Sequence, residues 1–200
     1  MGVSLQGNGN GNTMNVWLTL KGRQNMRTLL AIFFGSVVMV PALTVTTARA
    51  EEPAAPAKIP VIFDTDIGDD IDDTWALVML LKCPQFDVRL VTTDCLKSQA
   101  RGKLIAKLLT IAGRTDIPVG LGPGAEGSTN QDAWTEGFQM DEYKGQIHQD
   151  GVQAIIDTIN GSRKPITVIA VGPLQTMAAA LEKSPGMASK AFFVGMHGSV

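Results

Sequence analysis

The sequence predicts an α/β fold with a doubly wound, mostly parallel sheet and helices on both faces. Short apolar runs alternate along the chain with segments in which apolar residues recur at helical spacing, the pattern of repeated strand-helix units. Polar residues suited to chemistry follow several of the runs, and ligands in such folds bind at the carboxyl ends of strands. The fold is expected to be incomplete at its C-terminal end, because the sequence stops after an apolar strand without a closing helix.

The predicted elements follow one another in order along the chain. The strands are short, apolar segments: 59–63, 86–93, 117–119, 166–171 and 192–194. The helices have apolar residues at helical spacing: 75–81, 99–112, 150–160 and 174–183. We expect the last strand, Phe192–Val194, to be buried. Asp150 is expected to cap the third helix, a common role for aspartate at that position.

Residues 1–50 have the features of an n-region followed by a secretory signal peptide. They contain four basic residues and no acid, and an apolar core from Leu29 to Val40 precedes Ala48-Arg49-Ala50. The core is shorter than the roughly 20 residues of a membrane span, so we expect cleavage near Ala50 and no stable membrane anchor afterwards. The protein is therefore expected to be exported, either to the periplasm or to the medium. Met26 is an alternative start to Met1.

The mature chain is predicted to have a linker at residues 51–58 and one domain portion at residues 59–200. Removal of residues 1–50 leaves 13 of the 17 basic residues and all 19 acidic ones, a formal charge of −6. Nucleic-acid binding driven by charge is therefore not expected. The sequence leaves the oligomeric state open, a homo-oligomer included.

An acidic run lies between the first strand and the first helix. Six acids fall within ten positions: Asp64, Asp66, Asp69, Asp70, Asp72 and Asp73. Asp64 and Asp66 are expected to point to the same side of an extended chain, and Asp72 and Asp73 to begin a helix whose amides offset only part of the repulsion. Crowded carboxylates must take up protons or bind a cation, and oxygen ligands select hard ions. We predict a Ca²⁺ site.

Further polar candidates follow the other predicted strands. Asp94 ends the second strand, Val171-Gly172-Pro173 ends the fourth, and His197 follows the fifth. Because the carboxyl ends of parallel strands share one edge of the sheet, these residues are expected to converge on one crevice.

The run Asp64-Thr-Asp66-Ile-Gly68-x-Asp70-x-Asp72-Asp73-x-x-Ala-Leu resembles the signature of the inosine-uridine-preferring nucleoside hydrolases. Three later stretches agree with that family in order and spacing: Val91-Thr-Thr93, Val171-Gly172-Pro173-Leu174 and Val194-Gly-Met-His-Gly198. The resemblance covers residues 59–200. It implies a nucleoside-hydrolase-like fold and hydrolysis of the N-glycosidic bond of a small ribonucleoside, with Ca²⁺ as the cofactor.

The resemblance also implies residue roles. Asp66 would be a metal ligand and the general base, Asp73 a bidentate metal ligand and the Val171 carbonyl a further ligand. Asp72 would contact a ribose hydroxyl, but the turn is two residues longer than in the best-known members, so Asp70 is an alternative. Asp64 would orient the turn.

The chain departs from the family pattern in two other places. Asp94-Cys-Leu-Lys97 stands where the family places a small residue and an amide or acid that holds the water or ligand, so Lys97 puts that contact in question. The leaving-group acid and the last metal aspartate of the family come from beyond Val200.

Several residues have two interpretations. His148 could belong to a pocket loop and bind substrate, and His197 could serve the site, but each could equally be a structural neighbour of a helix or strand. Trp134, Phe138 and Tyr143 could stack on a nucleobase or hold down the long loop that contains them.

Two alternative functions compete with nucleoside hydrolysis. A secreted ribose- or Ca²⁺-binding fragment would keep the metal half of the site without the catalytic half. A haloacid-dehalogenase-like phosphatase would use Asp64 as its nucleophile, because that class also has Asp-x-Asp after a strand, although the residues after Asp66 fit it poorly.

Overall fold

The computed structural model describes residues 57–197. The predicted signal peptide, residues 1–50, and residues 51–56 of the predicted linker lie outside the described residues. Within the described part, no helix has the length and apolar character needed to cross a membrane.

Six parallel strands form one sheet. They are β1 (Ile59–Thr65), β2 (Phe86–Thr93), β3 (Val119–Gly120), β4 (Ile147–His148), β5 (Ile166–Ala170) and β6 (Ala191–Gly195). Their order is β4-β3-β2-β1-β5-β6, and each neighbouring pair is parallel. The chain builds outward from β1 to β4 and then crosses to the other side of β1 for β5 and β6. The doubly wound prediction is confirmed, and the strand order reverses between β1 and β5.

Helices cover both faces of this sheet. They are α1 (Asp72–Lys82), α2 (Ser98–Ile111), α3 (Gly151–Gly161) and α4 (Gln175–Lys183), with short 3₁₀ turns at Asp132–Thr135, Met140–Glu142 and Pro185–Lys190. Consecutive residues of a strand point to opposite faces, so Phe63 packs with Leu77 and Ile105 of α1 and α2, whereas Ile62 packs with residues of α3 and α4. The sheet is therefore the middle layer of three.

Two strand predictions need correction. The structure contains a strand, β4, that the sequence did not indicate, because two residues are too few to show a periodicity. Phe192–Val194 does form a strand, but the prediction that it is buried was wrong: its three side chains are 64%, 52% and 54% exposed. β6 lies at the edge of the sheet, and within residues 57–197 no element covers its outer side.

The start of α3 confirms a capping prediction. Gly151 begins the helix, and the Asp150 carboxylate accepts a hydrogen bond of 2.9 Å from the Gln153 amide. This contact satisfies one of the amides that a helix leaves free at its first turn.

Candidate active site

The candidate site lies at the carboxyl ends of β1, β2 and β5, where the strand order reverses. Backbone hydrogen bonds continue past the strands: the Asp94 amide donates to the Thr65 carbonyl at 2.8 Å, and the Val171 amide donates to the Asp64 carbonyl at 2.9 Å. The loops after these strands therefore begin side by side. A point of strand reversal in an open α/β sheet is where ligands bind.

Gly172 shows how closely the loops approach each other. A Cβ at this position would lie 2.8 Å from an Asp94 carboxylate oxygen and 3.1 Å from the Asp66 amide. Only glycine leaves room for this approach. The loop after β5 is therefore held against Asp66, the first residue of the acidic turn, by which we mean residues 66–73 between β1 and the start of α1.

Asp66 and Asp73 form the centre of the acidic turn. Asp73 is the second residue of α1 and is buried, and its Oδ2 accepts a hydrogen bond of 2.8 Å from the Thr65 hydroxyl. Burial raises the pKa of Asp73 to about 7 despite the Thr65 hydrogen bond, and the adjacent Asp66 carboxyl raises it further, with a smaller contribution from Asp72. Asp73 therefore holds negative charge only at a cost, as expected for a ligand of a cation.

Asp64 precedes Asp66 by two residues, near the end of β1, and is fully buried. Its Oδ1 accepts a hydrogen bond of 2.6 Å from the Thr92 hydroxyl of β2, whereas its Oδ2 is buried without a partner. Burial raises the pKa of Asp64 to about 7, against the lowering effect of Thr92, and the charges of Asp94 and Asp66 add to the increase. An unpartnered buried oxygen among carboxylates fits a site that receives a cation or a proton.

Asp94, unlike the other acids of the site, caps a helix. Its two carboxylate oxygens accept hydrogen bonds from the Leu174 amide at 2.6 Å and the Thr176 amide at 2.8 Å, and Thr176 also donates its hydroxyl. α4 has no capping side chain of its own, so Asp94 supplies the cap from a strand 80 residues earlier. The Asp94 carboxylate therefore binds the start of α4 and holds the loop between β5 and α4, which contains Val171.

Asp70 and Asp72 are both exposed, but their surroundings differ. Asp72 Oδ1 accepts a hydrogen bond of 3.1 Å from the Asp73 amide, and its charge raises the pKa of Asp73. Asp70 contributes its carbonyl, which accepts a hydrogen bond of 2.7 Å from the Gln131 side chain. Of the two alternatives, Asp72 is the one whose carboxylate lies next to the central pair.

The two histidines lie on other strands. His148 is half-buried in β4, three strands from β1, which corresponds to roughly 14 Å across a sheet. His197 is exposed after β6, with its ring stacked on Phe193 at a centroid distance of 5.8 Å. The structure does not bring either histidine against the acidic turn.

The aromatic residues of the long loop also separate. Phe138 and Tyr143 are buried in the core on the α1–α2 side, and the Tyr143 hydroxyl donates to the Ile117 carbonyl at 2.5 Å. Trp134 is 52% exposed and borders a groove between α1 and α2. Phe138 and Tyr143 therefore hold down the loop rather than offer a face to a nucleobase.

The sequence did not single out Arg101, which is one of the most deeply buried side chains of the domain. It donates to the Ile67 carbonyl at 2.7 Å and to Asp69 at 2.9 Å, beside Lys97, whose ammonium binds the same carboxylate. The detectable signal was a charged residue at a position of α2 that shares its face with Leu104 and Ile105.

The donors at the site fit a hard cation only in part. Within residues 57–197, no group of three or more acidic, histidine or cysteine side chains has the geometry of a metal site. The ligands expected from the sequence, Asp66, Asp73 and the Val171 carbonyl, are two carboxylates and one main-chain oxygen, the type of donor that Ca²⁺ and Mg²⁺ prefer. The buried Asp64 Oδ2, which has no hydrogen-bond partner, is an atom that a cation or a proton would satisfy.

Comparisons with known proteins place this geometry in context. The family model described as inosine-uridine preferring nucleoside hydrolase matches residues 61–200. The pyrimidine-specific ribonucleoside hydrolase RihA of Escherichia coli O9:H4 (strain HS) is 28% identical over 149 residues, covering 66% of this chain and 45% of that protein. The solved structure of the plant nucleoside hydrolase PpNRh1 has a TM-score of 0.59 and 29% identity, over 70% of this chain and 48% of that one.

A more distant likeness extends the agreement in fold. A purine-preferring ribonucleoside hydrolase from Gardnerella vaginalis has a TM-score of 0.56 at 20% identity, over 70% of this chain and 49% of that one. The chain spans about half the length of these relatives. The matched residues make up well over half of the 200 in the sequence and contain the acidic turn, the Val171 loop and all but the start of the sheet. The chain therefore belongs to the inosine-uridine preferring nucleoside hydrolase family.

Proposed function

We propose that the protein hydrolyses the N-glycosidic bond of ribonucleosides and releases a free base and ribose. The observation that carries the proposal is the Asp66–Asp73 pair at the strand reversal, together with the buried, unpartnered oxygen of Asp64, in a chain of the nucleoside hydrolase family. Crowded, buried carboxylates at the carboxyl ends of the strands suit both a cation and a cationic transition state.

The proposed cofactor is Ca²⁺, held by Asp66, Asp73 and the Val171 carbonyl. When bound, the ion supplies positive charge that favours the ionised carboxylates and lowers the pKa of a nearby water. Asp94 holds the Val171 loop through the start of α4, and Thr65 orients Asp73 through its hydroxyl. These two contacts hold the loop that contains Val171 and the side chain of Asp73.

The proposed reaction begins with a water that attacks the anomeric carbon of the ribose. Asp66 accepts a proton from that water and the carbon-oxygen bond forms while the bond between carbon and base nitrogen breaks. The base leaves with the electron pair and takes up a proton from solvent, so the products are ribose and the neutral base. The transition state resembles an oxocarbenium ion, so the neighbouring carboxylates stabilise its charge. Asp72 is proposed to accept a hydrogen bond from a ribose hydroxyl, with Asp70 as the alternative.

The substrate class rests on the relatives rather than on a pocket wall. The names of the similar hydrolases include both pyrimidine-specific and purine-preferring enzymes. We therefore propose ribonucleosides in general. His148 and His197 remain proposals as substrate or site residues that rest on their positions in the sequence. In the structure His148 lies in β4 and His197 follows β6, and neither lies against the acidic turn. The membership of the family removes the support for a phosphatase that uses Asp64 as its nucleophile.

The test is release of base and reducing sugar from uridine, cytidine and inosine by the purified protein with added Ca²⁺. Asp66→Asn should abolish release and weaken Ca²⁺ binding by tenfold or more, measured by calorimetry, because a neutral amide cannot take the proton and is a poorer cation ligand. Asp141→Asn, at an exposed carboxyl of the long loop, is the matched control. Unchanged hydrolysis by Asp66→Asn would contradict the assignment. Ca²⁺ binding without any base release would instead favour a binding fragment.

We also propose that the protein is exported after cleavage near Ala50. The apolar core and the Ala-x-Ala ending of residues 1–50 support this. The intact mass of the protein from its native source tests it: the polypeptide should begin at Glu51, and a mass that includes residues 1–50 would contradict the proposal. Size-exclusion chromatography of the same sample would decide between a monomer and a homo-oligomer.

A further inference from the structure

Arg101 is a buried cation whose hydrogen-bonding groups all point toward the turns that carry the site. Its side chain is 2% exposed, and a buried guanidinium is tolerated only when its donors find partners. The Nη1 group donates to the Ile67 carbonyl at 2.7 Å, and Nη2 donates to an Asp69 oxygen at 2.9 Å. Both partners belong to the acidic turn, and Ile67 directly follows Asp66.

The same side chain also reaches the turn after β2. Its Nε donates to the Cys95 and Leu96 carbonyls at 3.1 and 3.2 Å. Cys95, Leu96 and Lys97 have φ angles of 53°, 52° and 50°, a left-handed conformation that non-glycine residues rarely adopt in succession. Such strain persists only where surrounding contacts enforce it. Here, the two carbonyls that Arg101 binds belong to the strained segment.

Lys97 completes the cluster from the same strained turn. Its ammonium lies 3.0 and 3.2 Å from the two oxygens of Asp69, so this carboxylate is bound by two cations. Asp69 belongs to the stretch between Gly68 and the Asp72–Asp73 pair. This stretch is also held through its main chain, because the Asn130 side chain donates to the Asp69 carbonyl and the Gln131 side chain to the Asp70 carbonyl.

We infer that Arg101 and Lys97 are positioning residues that hold the acidic turn in the shape that lets Asp66 and Asp73 bind a cation. Arg101 ties the main chain next to Asp66 to the turn after β2, and both cations fix Asp69 away from the central pair. Neither residue touches the substrate in this inference. The inference rests on the proposed function, since the positioned groups are the proposed metal ligands.

An effect through charge and an effect through positioning would change Ca²⁺ affinity in opposite directions, so the inference can be tested. Arg101 and Lys97 are positive, so if they acted only through charge, their removal would tighten the binding of Ca²⁺. If they act by positioning, their removal loosens the turn and weakens Ca²⁺ binding. Arg101→Lys keeps the charge but loses the planar fork that binds four partners, so it separates the two effects again.

The experiment measures Ca²⁺ affinity by calorimetry for the full chain and for Arg101→Lys, Arg101→Met and Lys97→Met. We expect each variant to bind Ca²⁺ at least roughly tenfold more weakly, which corresponds to about 1.4 kcal/mol. Arg89→Met is the matched control, because Arg89 is an exposed arginine of β2 whose ion pair with Asp87 lies toward the opposite end of the strand. It should leave the affinity unchanged.

Several outcomes decide the inference. Unchanged or tighter Ca²⁺ binding by the folded variants overturns it. If Arg101→Met does not fold, Lys97→Met carries the test, because the Lys97 side chain is about one-third exposed and its loss leaves no buried charge. Weaker binding in the variants supports the inference even if the parent protein binds Ca²⁺ without cleaving nucleosides, in which case only the proposed activity fails. A parent protein that binds no Ca²⁺ overturns both.

Discussion

Replacement of Asp64 by asparagine should remove part of the pH dependence of stability in the metal-free protein. Burial raises the pKa of this carboxyl from 3.8 to about 7, so the folded protein keeps a proton that the unfolded chain releases between those values. The stability of the parent protein should therefore fall as pH rises through this window. Asparagine does not titrate, and its side-chain oxygen can still accept the hydrogen bond that Thr92 donates at 2.6 Å.

The magnitude follows from the two pKa values. At 1.36 kcal/mol per pH unit, the interval corresponds to a loss of about 4 kcal/mol relative to Asp64→Asn as an upper figure, since local relaxation or water entry would reduce it. The loss is confined to the range from about pH 4 to about pH 7, because the carboxyl is neutral in both states below it and ionised in both above it.

The assay is urea unfolding in the presence of a chelator, followed at several pH values from about 4 to about 8. The quantity compared is the free energy of unfolding of the parent minus that of Asp64→Asn, which should decline with pH. Asp141→Asn, at an exposed position, should show a flat difference. Parallel pH profiles for the parent and Asp64→Asn would refute the reasoning, because they would mean that Asp64 titrates alike in the folded and unfolded states.

Two further substitutions test the framework of the site. Asp94→Asn should destabilise the protein by about 2 to 4 kcal/mol in urea unfolding, because an amide offers one oxygen to the two helix amides that the carboxylate now serves, and a loss no larger than that of Asp141→Asn would contradict the capping role. Gly68→Ala should cost about 2 kcal/mol or more and weaken Ca²⁺ binding, since Gly68 has a φ of 117° and a Cβ would lie 2.9 Å from Thr129. Gly186→Ala, with open space around its Cβ, is the control, and equal melting temperatures of the two alanine variants would contradict the prediction.

The fold could be predicted from the sequence where local patterns and global structure agree. Apolar runs and helical spacing identified β1, β2, β5 and all four helices, because each of these elements buries a full face. β4 could not be predicted, because a strand of two residues shows no periodicity in the sequence. The exposure of β6 escaped for another reason: an apolar run indicates a strand, but its burial depends on which strand lies at the edge of the sheet.

The acidic residues of the candidate site could be predicted from the sequence, whereas its buried cation, Arg101, could not. Local geometry alone brings the six carboxylates together at a turn between a strand and a helix, whereas the roles expected of Asp66 and Asp73 came from the resemblance to the family. Arg101 lies 34 residues from Ile67, whose carbonyl it binds, and 32 from Asp69. Nothing in the helical pattern around Arg101 indicates that a distant turn would supply carbonyls to a buried guanidinium. Its position on the apolar face of α2 was the one local sign.

The structure also shows that the crowded acids are not equivalent, so only some of them support a bound cation. Asp69 forms ion pairs with Lys97 and Arg101, and Asp94 accepts hydrogen bonds from the first turn of α4. Burial raises the pKa of Asp64 and of Asp73 to about 7, so each is only partly ionised near pH 7. The argument for the proposed cation therefore does not rest on six acids in ten residues. It rests on Asp64, Asp66 and Asp73, which form no ion pair with a basic residue among residues 57–197, and Ca²⁺ binding should rise with pH as Asp64 and Asp73 lose their protons.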